Sequence, residues 1–146
     1  MAIDMDIFSA NQFEKTIRNY CEQIGWKIKD INHERAILKF NMNSGTTQTV
    51  FIIRYESTLE FSCPSGLKYN SFDDIPHQLS TYLLEKNSKY KIAFWCIEEI
   101  GGEKHYSIMH NAEISLMNVQ YFKNIVNKVI EECDDFEQSV QKAMNS

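Results

Sequence analysis

Cys96 and His105 are the residues of this chain whose types could make a nucleophile and its base. They flank Gly101-Gly102, the strongest hairpin signal in the sequence. If that pair forms a two-residue turn, Glu98 stands opposite His105 and Cys96 opposite Ser107, all on one face. Cys96 and His105 are then diagonal neighbours with Cβ atoms ~7 Å apart. A cysteine nucleophile needs its histidine within hydrogen-bond reach and a further group to orient it. Phe94 and Met109 fall on the same face, and no oxyanion hole can be read nearby. An ordinary mixed sheet face explains the pattern better than catalysis does. The expectation is a protein that is not an enzyme, with a small Cys96/His105 enzyme as the alternative.

Other chemistries find less support. There is no Walker A loop, dinucleotide fingerprint, H-E-x-x-H, G-x-S-x-G or EF-hand loop. Ser44-Gly45-Thr46-Thr47 lacks the further glycine and lysine of a phosphate cradle and reads as a turn. Cys21, Cys63, Cys96 and Cys133 are scattered with no C-x-x-C, so they read as small core hydrophobes in a reducing compartment rather than as zinc ligands. His33 and His77 are expected to face solvent. No cofactor and no metal are expected.

The net charge of −5 and the absence of a basic stripe argue against nucleic acid, which is bound by replacing phosphate counterions with Lys and Arg. Asp4 and Asp6 stand where a signal peptide carries positive charge, and no stretch reaches the ~18 apolar residues of a membrane span. The expectation is a cytoplasmic protein. A chain of 146 residues fits one domain spanning 1–146, and 43% hydrophobic residues supply a core without metal or disulfide.

Phe13, Ile17, Tyr20, Cys21 and Ile24 recur at helical spacing. Ser9 and Gln12 stand as a capping box, Phe8 and Phe13 as a hydrophobic staple, and Gly25 as a left-handed cap. The spacing predicts a helix over Ala10–Ile24. Alternating sets at 26–31, 36–42, 46–55 and 59–63, joined by short turns, predict an antiparallel meander that ends before Pro64. A loop follows to Asp74, which is placed to cap a second helix ending near Asn87. Tyr90–Ile100 and Lys104–His110 form the hairpin.

The last helix is expected over Leu116–Met144, after a Ser115 cap. Val119, Phe122, Val126, Val129, Cys133, Phe136, Val140 and Ala143 repeat in steps of three and four, a heptad seam over about four heptads. Ile125 and Ile130 widen it towards an ordinary core-facing stripe. At about 43 Å such a helix slightly overruns a domain of roughly 38 Å diameter. It therefore bends, or its end packs outside the monomer.

The order helix, meander, helix, hairpin, helix resembles the type III secretion chaperone-like fold, and within it the YbjN family. The carrying residues are Ile24-Gly25-Trp26, the Leu38–Phe40 strand, Leu83-Leu84-Glu85-Lys86-Asn87, Phe94, and the acidic-aromatic Asp134-Asp135-Phe136. The resemblance spans about 10–141. It implies a small acidic protein, often dimeric, that binds extended segments of a partner or acts in regulation, without an active site.

The expected fold is α+β, an antiparallel sheet of meander plus hairpin with three helices on one face, in the order α-ββββ-α-ββ-α. The expected function is a non-enzymatic protein-binding module, chaperone-like or regulatory, acting as a homodimer; a structural subunit of a larger complex is a third possibility. The hairpin is apolar on both faces, more than a half-wet antiparallel sheet requires. Trp95, Ile97, Tyr106 and Ile108 are taken as the outer, partner-binding face, because tryptophan is enriched at binding hot spots. Val126, Val129 and Phe136 are taken as the dimer interface.

Overall fold

The computed structural model describes residues 10–145; the Ser9 cap and the Phe8 staple lie outside the described residues. Helix α1 spans Ala10–Ile24 and buries Phe13, Ile17 and Cys21. It stops at Gly25, whose φ of +92° lets its N–H turn back to the Cys21 carbonyl. Strands β1 (Asp30–Ile31), β2 (Arg35–Asn41), β3 (Thr47–Tyr55) and β4 (Thr58–Tyr69) form the meander. Helix α2 spans His77–Asn87, the hairpin comprises β5 (Phe94–Ile100) and β6 (Glu103–Glu113), and α3 spans Val119–Met144. The expected element order is the observed one.

Several boundaries differ. The first strand shrinks to two residues. Strand β4 does not stop at Pro64: it runs on to Tyr69, with a register shift between Pro64 and Lys68. A proline is tolerated where the ladder is irregular, because its missing N–H then costs no bond. Phe72–Asp74 form a 3-10 turn, and α2 starts three residues beyond the predicted Asp74 cap. Ser115 lies in another 3-10 turn, and Asn118 caps α3 instead, accepting the Tyr121 N–H at 2.8 Å.

The six strands pair antiparallel in the order β1-β2-β3-β4-β6-β5. The hairpin is thus inserted with β6 against β4, which leaves β5 at the edge. Residues of one parity (Ala36, Leu38, Val50, Ile52, Phe61, Ile108) are fully buried against the helices, and α3 crosses β3, β4 and β6. The ring of Phe122 sits at the centre of this layer, 5.8 Å from Phe61 and 5.2 Å from Tyr20. The ladder between β3 and β4 ends at Phe51 and Ser62. Beyond it the strands part, and α3 bridges the gap: Gln48 and Ser44 donate to Asp134, and the Gly66 N–H donates to Glu137 at 2.6 Å. No helix of the described residues is long and apolar enough to cross a membrane.

Candidate protein-binding surface

The heptad seam is spent inside the monomer. Val126 and Val129 are fully buried and Phe136 is 2% exposed. Phe136 packs 4.8 Å from Trp95 and 6.0 Å from Tyr106. The expectation that Val126, Val129 and Phe136 form a dimer interface is corrected. Ile125 and Ile130 are buried too, so the apolar stripe has the width of a helix lying on a sheet, not of a two-helix seam. Past Phe136, Val140 still packs against the core, and residues 141–145 are exposed.

The expected outer face is corrected as well. Trp95, Tyr106 and Ile108 are all buried, at 3% exposure or less. Trp95 pairs with Ile108, which pairs with Cys63, and this row faces α3. Its indole N–H donates to the Tyr90 hydroxyl at 3.2 Å. Both hairpin faces are apolar, so parity alone could not say which one α3 would cover. Ile97 continues the same face beyond the cover of the helices and is 44% exposed.

The register of the hairpin is the expected one: Cys96 pairs with Ser107 and Glu98 with His105. Gly101 and Gly102 have φ of +58° and +82°, the left-handed pair a type I′ turn needs. The electrostatics run against a nucleophile. The Cys96 thiol is pushed up to about 12, by burial first and then by the carboxylates of Glu98 and Glu60. A reactive cysteine sits instead among positive groups that favour the thiolate. His105 Nδ1 is buried and has no hydrogen-bond partner among the described residues.

What the fold does assemble is an apolar edge between α2 and β5. Tyr82-Leu83-Leu84 is an apolar run that a helix cannot turn entirely inwards. Leu83 is buried, whereas Leu84 is 66% exposed and Tyr82 also faces solvent. Between helix and strand lies a cleft of about 140 Å³ lined by Ser80, Leu83, Leu84, Trp95, Ile97 and Tyr106, with Cys96 at its rim. Its floor is fixed by polar bonds: the Tyr106 hydroxyl meets Ser80 Oγ at 2.7 Å and donates to the Pro76 carbonyl at 3.1 Å. Trp95, Ile97 and Tyr106 of the expected binding set are thus brought to one cleft, two as floor and one as rim. Ile108 is not.

Asn87 shows how the edge is oriented. Its side chain accepts the Trp95 N–H at 2.6 Å and donates to the Trp95 carbonyl at 3.1 Å, as a neighbouring strand would. Backbone groups alternate in direction along an antiparallel strand, so those of Ile97 and Glu99 point the same way. No strand lies beyond β5 among the described residues. Asn87 therefore plugs the start of the edge and leaves its second half open, beside the exposed Ile97 and Ile100.

This architecture is shared by known structures. A chain of the HopA1–SchA chaperone–effector complex superposes with a TM-score of 0.62, at 10% identity, over 91% of this chain and 95% of that one. YbjN from E. coli, assigned as a candidate transcription regulator, superposes with a TM-score of 0.57, at 11% identity, over 82% and 84%. The chain has the type III secretion chaperone-like fold. Neither a protein-family model nor a curated relative matches the sequence. Within this chaperone-like fold the cleft between α2 and β5 was missed from sequence. The available signals were the three-residue apolar run on α2 and the Asn87 that ends it.

Proposed function

We propose that this chain is a non-enzymatic protein-binding module that holds an extended segment of a partner protein along the open half of the β5 edge. The observation that carries the reading is the Asn87 clamp on Trp95, which points the next backbone groups of β5 outwards beside an apolar cleft. Strand addition draws affinity from main-chain hydrogen bonds and specificity from pockets for alternate side chains, and both are available here. The likeness to a chain of a chaperone–effector complex supports a protein partner. Four free cysteines suit a reducing, cytoplasmic setting.

The test is a set of peptides selected on the immobilised protein. Ile97→Pro removes the outward N–H that an added strand requires, at an edge position where proline is tolerated. Leu84→Asp removes the apolar rim. Selected peptides should lose at least tenfold in affinity against each variant while the melting temperature holds. Undiminished binding to both variants overturns the proposal.

A homodimer through the same edge is the second reading. An antiparallel edge is self-complementary, so two copies of β5 can pair about a two-fold axis. Sedimentation at high micromolar concentration that shows a dimer, dissociated by Ile97→Pro, assigns the edge to the second copy; a monomer ends this reading.

A further inference from the structure

The sheet face turned away from the helices carries a second feature. Ser62 Oγ donates to Glu98 Oε1 at 2.6 Å. Ser62 is on β4 and Glu98 on β5, with β6 between them, and Ser62 pairs with Met109 whereas Glu98 pairs with His105. Two strand spacings alone separate them by about 10 Å in a flat sheet. The contact therefore requires this face to be a trough with β6 as its floor. Met109 is 7% exposed and Ser107 fully buried there.

The trough holds uncompensated negative charge. Glu60, two residues before Ser62 on the same face, has its carboxyl pushed up, by burial first and then by the nearby charge of Glu98. Neither forms an ion pair among the described residues, whereas Glu99, Glu103 and Glu132 each have a lysine. The second sign is independent of charge: Ser107 Oγ, on the floor between Cys96 and Pro64, has no hydrogen-bond partner among the described residues. Buried hydroxyls are nearly always bonded, so an orphan marks a place where a polar group is missing. An apolar row, Ile37–Phe51 on one side of Ser62 and Met109–Phe94 on the other, crosses the same face.

We infer that this trough is a docking site for an arginine side chain of a partner protein, set between apolar neighbours that lie on the Phe51 and Phe94 sides. Two carboxylates close together need more donors than a point charge aims well, and the guanidinium fork supplies five in one plane. The inference rests on the reading of the chain as a protein-binding module but uses a face different from the β5 edge.

The experiment uses the full chain, labelled with nitrogen-15, and synthetic peptides of about thirteen residues. Each has leucines flanking one central arginine, and the companions carry citrulline or lysine there. Citrulline keeps the shape of arginine and loses its charge. Amide shifts at Ser62, Ser107 and Met109, a tenfold or greater weakening with citrulline, and a matching loss in Glu60→Gln and Glu98→Gln support the inference. Glu98→Gln keeps an oxygen for Ser62, and Glu60→Gln alters a partly exposed side chain, so both should fold. Equal binding of the arginine and citrulline peptides, lysine equal to arginine, or no binding overturns it. Shifts confined to Leu84, Ile97 and Glu99 overturn it while leaving the edge reading intact.

Discussion

Ser62 and Glu98 meet across an intervening strand, and their hydrogen bond spans the trough in which Cys96 is held beside two carboxylates. Burial there, and next the charges of Glu98 and Glu60, decide how the Cys96 thiol behaves. A thiol raised to about 12 is almost wholly protonated at neutral pH.

Cys96 should therefore alkylate slowly. At pH 8 its modification by iodoacetamide in the native protein should be at least a hundredfold slower than that of free cysteine, whose pKa is about 8.5. Glu98→Gln should speed it, because one of the raising charges is gone. Rapid, selective labelling of Cys96 in peptide mass spectra would revive the enzyme reading.

Val129→Asp should unfold the protein rather than split a dimer. Val129 is fully buried, and an unpaired buried charge costs about 3 kcal/mol or more. Circular dichroism should show a large loss of melting temperature. Ile97→Asp, on a half-exposed side chain, should shift stability by only ~0.5 kcal/mol. A stable, fully helical Val129→Asp protein contradicts the packing described here.

Trp95→Ala should cost roughly 3–5 kcal/mol, the range for emptying a large core site. Trp95 loses its contact with Phe136 and the bond to Tyr90 together. Urea denaturation measures it, and a cost below ~1 kcal/mol would mean that the indole is not enclosed.

His110 should make stability fall with acid. Burial lowers its pKa, its Nδ1 accepts the Ala93 N–H at 3.0 Å, and its Nε2 lies 2.7 Å from the Tyr121 hydroxyl. The fold thus favours the neutral ring. The contribution is complete above the unfolded value of about 6.5 and is lost as pH falls through the lower folded value. Glu132 adds a separate loss at more acidic pH. Burial alone would raise it, yet hydrogen bonds from Tyr90 and Lys128 and the lysine charges hold it below the carboxylate range. Melting temperatures from pH 8 to 5 should decline in the native protein and decline less in His110→Gln.

Ala93→Gly should stabilise. Ala93 has φ of +77°, a region that costs an L side chain ~1 kcal/mol and glycine almost nothing. A gain of about that size in urea denaturation is expected, offset in part by the greater freedom of glycine when unfolded.

Local patterns in the chain specify the element order and the pairing within the hairpin. Glycine pairs, strand alternation and helical periodicity are local, so the register of Cys96 with Ser107 and the end of α1 at Gly25 followed from nearest neighbours. What they could not determine was which apolar surface meets which. Trp95 and Phe94 alternate on one strand, and only the docking of β6 against β4, with α3 laid across them, turned Trp95 inwards. The α3 seam would satisfy a second helix or a sheet equally well, because burial is non-directional. The long reach from Ser62 to Glu98 depends on the curvature of the whole sheet, to which every strand contributes and which no local pattern encodes.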